Sequence, residues 1–218
     1  MSSAPDAPAD SVVTGRAPAV ATRKRPKPGE RRVQILQVLA EMLQQPGAER
    51  VTTAALAARL AVSEAALYRH FASKAQMFEA LIDFIESSVF GLINQIGERE
   101  PAGRARAARI VAMVLQFGEK NPGMARVMVG DALVFEHERL QQRMNQFFDK
   151  LDAALRQSLR DGALADAAEP ATLTPDADAR VRASVLTAFV AGRLQRFARS
   201  GFRRAPSEQL GACIARML

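Results

Sequence analysis

The sequence predicts an all-α protein. From Glu30 onward, apolar residues recur three and four positions apart, the spacing of one face of an α-helix. Ser, Thr, Pro and Gly stand between these segments, where helices begin and end. No segment alternates apolar and polar residues as a half-buried strand would.

The helices are predicted in order along the chain. The first, "RRVQILQVLAEMLQQ", carries an apolar stripe and is stopped by Pro46–Gly47. "TTAALAARL" and "EAALYRHF" are short helices, capped by Thr52 or Thr53 and by Ser63, and Ser73 caps a long helix that runs to about residue 96. Further helices are expected at about 103–121, 122–130, 136–161, 176–200 and 207–217.

The composition favours a polyanionic partner. The chain has 218 residues, of which 48% are hydrophobic, enough for the core of one large domain or two small ones. Lys and Arg number 30 against 23 acids, and the net charge of +7 is typical of proteins that bind nucleic acid. The single cysteine, Cys213, excludes an intrachain disulfide and a cysteine metal cluster. Nothing in the sequence indicates a metal or a cofactor.

Two features predict a cytoplasmic protein without a membrane partner. No apolar run approaches the roughly 18 residues that cross a bilayer. Residues 1–20 lack the apolar centre of a secretory signal.

Three regions follow from these patterns. Residues 1–29 are expected to be a disordered, Pro-rich tail whose second half is basic, with Arg23, Lys24, Arg25 and Lys27. This tail is either a solvated linker or an arm that lies along DNA phosphates. Residues 30–75 are predicted to be a DNA-binding domain, and residues 76–218 a helical domain for dimerisation and partner binding.

Residues 30–75 have the order helix, short helix, tight turn, short helix. This is the helix-turn-helix arrangement, whose second short helix enters the major groove of DNA. We expect the two short helices to pack together through Leu56, Leu60, Val62 and Leu67. The outward side chains of the second helix are then Glu64, Ala65, Ala66, Arg69 and His70. Alanines allow a helix to approach DNA closely, and Ser63, Tyr68, His70 and Lys74 suit phosphate contacts.

Other roles remain open for three of these residues. Tyr68 either contacts DNA or packs within the small domain with its hydroxyl in water. His70 either contacts DNA or only ends the helix. Glu64 either reads a cytosine amino group or only favours the positive end of the helix dipole.

The segment "TTAALAARLAVSEAALYRHFASKAQMFEALI" resembles the TetR family of repressors, chiefly through its Leu-Tyr-x-His-Phe-x-x-Lys pattern. "FGEKNPG", "ALVFEHERLQQRMNQFF" and "RFARSGFRRAP" resemble a group within that family, the SlmA-type nucleoid occlusion factors. The similarity runs from about 31 to 159 and more loosely from 181 to 206. It implies a TetR-like homodimer that binds dispersed pseudo-palindromic sites on double-stranded DNA. It also implies that the protein inhibits the division protein FtsZ over the nucleoid.

The resemblance also implies two sets of binding residues. The DNA surface would comprise Thr52, Thr53, Ser63, Glu64, Ala65, Ala66, Tyr68, Arg69, His70 and Lys74. Of these, residues 64–66 and 69 are expected to meet base edges, and Thr53, Tyr68, His70 and Lys74 the DNA backbone. A groove for the FtsZ C-terminal tail would comprise Phe84, Leu92, Met113, Gln116, Lys120 and Asn121. Leu92 replaces an expected arginine, which removes a cation suited to a carboxylate, and Gln116 replaces an expected glycine.

Helical periodicity places Phe84 outside the apolar stripe of its helix. The stripe is predicted to comprise Leu81, Ile85, Val89, Leu92 and Ile96. Phe84 and Phe90 lie off it, so each is either covered by another helix or part of a binding surface. The resemblance favours the binding surface for Phe84.

Two later helices carry long apolar stripes. One comprises Leu140, Met144, Phe147, Leu151, Leu155 and Leu159; the other comprises Val185, Leu186, Phe189, Val190, Leu194 and Phe197. Ala188, Ala191 and Gly192 would let a further helix approach closely. These helices either form a four-helix dimer interface or pack in the core of one chain.

The absence of common catalytic motifs from the sequence argues against an enzyme. The sequence lacks GxGxxG, a Walker lysine loop, HExxH and GxSxG, and His70 and His137 are far apart. The remaining alternative is a ligand-responsive TetR-type repressor, which needs an apolar pocket. The chain has no tryptophan, and its one tyrosine lies in the DNA-binding region. "FGEKNPG" at residues 117–123 favours the nucleoid occlusion group.

Overall fold

The computed structural model describes residues 29–45, 50–163 and 174–218. Within them the chain forms nine α-helices, one short 3-10 helix and no strand. The helices are α1 Glu30–Leu43, α2 Thr53–Arg59, α3 Glu64–Tyr68, α4 Lys74–Arg99, α5 Gly103–Lys120, α6 Pro122–Met128, α7 Glu138–Ala163, α8 Pro175–Arg199 and α9 Leu210–Met217. The 3-10 helix is Asp131–Leu133. The all-α prediction is confirmed, while the predicted tail up to residue 28 and Pro46–Gly47 lie outside the described residues.

Local sequence explains where the helices begin. The hydroxyls of Thr52, Ser63 and Ser73 accept hydrogen bonds from the N–H groups of Ala55, Ala66 and Gln76. Each bond satisfies one of the free N–H groups in the first turn of α2, α3 or α4. His137 has the same effect on α7, because its Nδ1 accepts from the Arg139 N–H at 3.2 Å.

The helix-turn-helix unit has the predicted core. Leu56, Leu60 and Leu67 are buried between α2 and α3, and Val62 is partly buried. Arg32 closes the unit from α1, since its guanidinium donates to the His70 carbonyl and lies 4.1 Å from the centre of the Phe71 ring. A cation over an aromatic face is a favourable contact.

The structure corrects the predicted stripe on α4. Leu81, Ile85 and Val89 are buried as expected, but Leu92 is 38% exposed and Ile93 is buried instead. A buried face that repeats every four residues drifts around the helix, so position 93 continues the 81–85–89 series better than 92 does. Phe90 is covered by α7, because its ring meets Phe147 edge-on at 5.5 Å.

The α7 stripe belongs to the core of one chain. All six of its residues are buried within the protomer: Leu140, Met144, Phe147, Leu151, Leu155 and Leu159. They fill the space among α4, α5 and α8, so this stripe is not available to a second subunit. On α8, Leu186, Val190, Leu194 and Phe197 are also buried, whereas Val185 is exposed.

Two glycines of the "FGEKNPG" segment allow close helix packing. A Cβ on Gly123 would lie 2.1 Å from the Ala40 carbonyl oxygen of α1. A Cβ on Gly118 would lie 2.4 Å from Cδ2 of Leu194 in α8. Arg126 of α6 also donates to the Leu43 carbonyl at 3.3 Å. Gly123 therefore lets α6 pack closely on α1 of the helix-turn-helix unit, whereas Gly118 lets α5 pack closely on α8 within the larger helical region.

None of the helices in these three ranges is long and apolar enough to cross a membrane. The same ranges contain no group of three His, Cys, Asp or Glu residues that could hold a metal ion.

Candidate nucleic-acid interface and partner groove

The outer face of α3 carries most of the predicted DNA residues. Burial of Leu67 turns Glu64, Ala65 and Arg69 to solvent, and Tyr68 is 46% exposed. Ala66 and His70 are partly buried, and Ser63 is exposed at the start of the helix. The exposure of Tyr68 argues against a packed role within the small domain. The face presents small side chains at its centre with a tyrosine and an arginine beside them, which suits close contact with a groove.

Glu64 and Thr53 are joined across the helix-turn-helix. The Thr53 hydroxyl donates to Glu64 Oε2 at 2.6 Å, and Thr52 is held as the cap of α2. The bond fixes one carboxylate oxygen, while Glu64 remains exposed. The sequence gives no signal for this pairing, because the two residues lie eleven positions apart on different helices.

Lys74 is not open to solvent in the way that its predicted phosphate contact would require. Its ammonium group forms an ion pair with Glu136, and the side chains are 19% and 8% exposed. Glu136 precedes α7, so the pair links the end of the DNA-binding unit to the larger domain. A DNA phosphate would therefore compete with Glu136 for this ammonium.

Further ion pairs continue the link between α4 and α7. Arg139 Nε lies 2.7 Å from Glu79 Oε1, and Arg143 Nη2 lies 2.9 Å from Asp83 Oδ1 and 2.8 Å from Glu86 Oε2. Partial burial of Arg143 acts against its charged form, but hydrogen bonds to the two carboxylates outweigh this and raise its pKa. Because the group is already cationic below its ordinary pKa, its contribution to stability is fully present at physiological pH and is lost only as the pH rises through the raised pKa.

The predicted FtsZ residues lie on α4, α5 and the following turn. Phe84 is 50% exposed, and Leu92 and Met113 line one groove of about 190 Å³ between the two helices. Gln116 and Lys120 are exposed on α5. The Asn121 amide donates to the Phe117 carbonyl at 2.8 Å, so this side chain caps the end of α5. Phe84 precedes Leu92 by eight residues, about 12 Å along the helix.

Two arginines outside the predicted set of groove residues line the same groove. Arg99 and Arg109 join Leu92 and Met113, together with Gln95 and Ile96. The groove therefore contains cations although residue 92 is leucine. A signal was present in the sequence, since "REPAGRARAAR" places several arginines around the turn between α4 and α5.

Family comparison agrees with this geometry. The description "Bacterial regulatory proteins, tetR family" matches residues 35–81, and "Tetracyclin repressor-like, C-terminal domain", an SlmA-like family, matches residues 103–215. A protein of Cronobacter sakazakii named nucleoid occlusion factor SlmA is 48% identical over 183 residues, covering 84% of this chain and 90% of its own. A protein of the same name from Idiomarina loihiensis is 44% identical over 182 residues, with the same shares covered.

The chain belongs to the SlmA family of TetR-type regulatory proteins. Solved structures of lower identity share its fold. A TetR-like transcriptional regulator from Rhodococcus sp. RHA1 has a TM-score of 0.67 at 18% identity, covering 88% of this chain and 97% of its own. The regulator FadR of Bacillus subtilis, solved with stearoyl-CoA, has a TM-score of 0.65 at 13% identity, covering 85% and 96%. The TetR-like fold is thus confirmed, and the SlmA family is one of regulators rather than of enzymes.

Proposed function

We propose that this protein is a nucleoid-associated inhibitor of cell division that binds DNA as a homodimer and antagonises FtsZ assembly. The observation that supports this most directly is the pairing of two surfaces on one helical body. The α3 face suits DNA, and the α4–α5 groove begins at Leu92, about five turns along α4 from Lys74. Relatives that are 44–48% identical carry the name nucleoid occlusion factor.

DNA binding would use the exposed face of α3 in the major groove. Glu64, Ala65, Ala66 and Arg69 would meet base edges, and Arg69 has the guanidinium geometry that pairs with guanine. Thr52, Thr53, Ser63, Tyr68 and His70 would hold the DNA backbone, joined by Lys74 once it leaves Glu136.

A homodimer is supported by a second apolar stripe on α8. Val181, Val185, Ala188 and Gly192 follow a spacing of three and four on the side of α8 opposite its buried residues, and the stripe ends at the polar Gln195. A Cβ on Gly192 would meet nothing within 4 Å, so this position leaves room for another helix. Such a self-complementary surface suits a two-fold interface, and a two-fold dimer presents two recognition helices to a pseudo-palindromic site.

FtsZ capture would use the groove between α4 and α5. Phe84, Leu92 and Met113 offer exposed or accessible apolar surface, with Gln116, Lys120 and Asn121 at the end nearer the DNA-binding domain. Half-exposed aromatic and aliphatic side chains beside a groove suit an apolar anchor of a peptide. The buried residues of α4 hold that helix against the core, so this side of the groove is rigid.

Phe84→Ala tests the groove. We expect FtsZ binding to fall by at least tenfold while DNA binding is unchanged, because the side chain is half-exposed and lies away from α3. Affinities for FtsZ and for a DNA site would be measured on the same preparation. Loss of both affinities together would mean that Phe84 supports the fold and does not bind FtsZ.

Mapping the bound chromosomal sites tests the cellular role. Many dispersed sites that are absent near the replication terminus are expected for a division inhibitor. A single site beside the protein's own promoter would contradict the proposal and favour a local, ligand-responsive repressor.

A further inference from the structure

One end of the α4–α5 groove is basic. Arg99 is the last residue of α4, and Arg109 lies in the second turn of α5; both line the groove whose apolar part is Leu92, Ile96 and Met113. Arg99 follows Leu92 by seven residues, so it lies on nearly the same face of the helix, about 10.5 Å further along. Apolar contacts and cations therefore occupy successive positions along one groove.

The two guanidinium groups retain capacity for a further anion. Arg109 Nε lies 3.2 Å from Glu100 Oε2, and the Arg109 side chain remains 61% exposed. This ion pair uses Nε and leaves the terminal nitrogens available, since a guanidinium carries five N–H donors. Arg99 is exposed and forms no ion pair with any acid in the described ranges. Both guanidinium groups therefore offer N–H donors to a further anion at this end of the groove.

We propose that Arg99 and Arg109 bind a carboxylate of the FtsZ tail whose apolar side chain rests against Leu92 and Met113. This inference depends on the proposed function, in which the groove holds that tail. In this arrangement the apolar side chain lies on the Phe84 side of the groove, and the acidic group lies toward the turn between α4 and α5. Bidentate contact between guanidinium and carboxylate gives such a site both strength and geometry.

A nucleic-acid phosphate is the alternative anion for the two arginines, and the lining of the groove disfavours it. Leu92, Ile96 and Met113 form an apolar lining that a DNA backbone has no group to match. The two arginines also lie at the far end of α4 from Ser73 and the recognition helix. An acidic peptide with a neighbouring apolar side chain satisfies both parts of the groove.

The experiment titrates a fluorescent C-terminal tail peptide of FtsZ into the full-length DNA-bound protein. Arg99→Gln and Arg109→Gln are each expected to weaken the peptide affinity about tenfold, the value of one charged hydrogen-bonded contact. The matched control is Arg216→Gln, on the exposed face of α9, which should leave the affinity unchanged. All three variants should bind the DNA site as the parent does.

A charge reversal adds a second, independent readout. Arg99→Glu should lose the acidic peptide and regain affinity for a peptide in which the contacting acid is replaced by lysine. The regain identifies the contacting residue, because general damage to the groove would weaken both peptides.

The possible outcomes separate the two proposals. Both Gln variants could bind the peptide as the parent does while Phe84→Ala loses peptide affinity. That result would overturn the arginine site and leave the groove proposal standing. Parent-like affinity in Phe84→Ala as well would overturn the groove proposal itself. Weakened DNA binding in the Gln variants would assign the arginines to a nucleic-acid surface and overturn the inference.

Discussion

Ala61 has an unusual backbone conformation in the turn between α2 and α3. Its φ is 53°, in the left-handed region that residues with a Cβ rarely adopt. The chain accepts this conformation because the turn must place α3 across α2, with Leu60 and Leu67 in one small core. The side chain of Ala61 is exposed, so no packing contact of its methyl group offsets the cost of this backbone conformation.

Ala61→Gly should stabilise the protein by about 0.5–1 kcal/mol. Relief of the left-handed conformation yields about 1–2 kcal/mol, and the greater freedom of glycine in the unfolded chain removes about 0.5–1 kcal/mol of it. Urea unfolding would measure the change. The matched control is Ala153→Gly in exposed mid-helix of α7, where the same substitution should destabilise by about 1 kcal/mol. Destabilisation at both positions would show that Ala61 is not strained.

At the scale of elements, two different kinds of contact hold the helix-turn-helix unit and α4 against the rest of the chain. Ion pairs between α4 and α7 run from Lys74–Glu136 to Lys150–Glu86, where the atoms are 3.5 Å apart. The close approach of α6 to α1 at Gly123 is a van der Waals contact with the Ala40 backbone and the Leu43 side chain. Most of the ion pairs are partly exposed and so weaken with salt, whereas the α1–α6 contact does not.

Gly123→Ala should weaken DNA binding by shifting α1. The added Cβ would lie 2.1 Å from a backbone oxygen, which cannot move aside as a side chain can. We expect a loss of about 1–3 kcal/mol in stability and a lower DNA affinity, measured by unfolding and by fluorescence anisotropy.

The matched control for this change is Gly97→Ala in α4. A Cβ there meets nothing within 4 Å, so it should raise stability by about 0.5–1 kcal/mol through helix propensity. Equal behaviour of the two variants would mean that α6 has room to move and does not fix the position of α1.

At the scale of the whole molecule, part of the exposed apolar surface lies on α8 and beside it. Val181 and Val185 are 54% and 48% exposed on α8. Val134, also exposed, lines a groove together with Gln195 of the same α8 stripe. A surface of this kind on a regulatory protein is explained by association rather than by solvent.

Val185→Glu should convert the proposed dimer to a monomer. A two-fold interface contains the substitution twice, so two carboxylates would be placed close together in an apolar contact. Sedimentation would show the monomer, and affinity for a two-fold DNA site would fall strongly because both recognition helices must be joined. Ala212→Glu on the exposed face of α9 is the control and should leave the assembly unchanged. A dimeric Val185→Glu protein would exclude this face as the interface.

Several parts of the fold and the candidate site were predictable because they depend on neighbours in the sequence. Helix starts at Thr52, Ser63 and Ser73 follow from hydroxyls that cap the next turn, and the pairing of α2 with α3 follows from leucine spacing. The outward face of α3 follows from the burial of Leu67. These features use contacts within a few residues, so local chemistry decides them.

Tertiary structure alone decided which of several equivalent apolar faces is covered. The sequence determined that α7 and α8 are amphipathic helices, but only packing showed that the α7 stripe fills the protomer while Val181 and Val185 stay exposed. It also paired Lys74 with Glu136, 62 residues away, and brought Arg99 and Arg109 to the groove beside Leu92. The periodicity of a helix predicts that one of its faces is apolar. It does not predict which other helix covers that face, because the covering helix is set by contacts between distant segments of the chain.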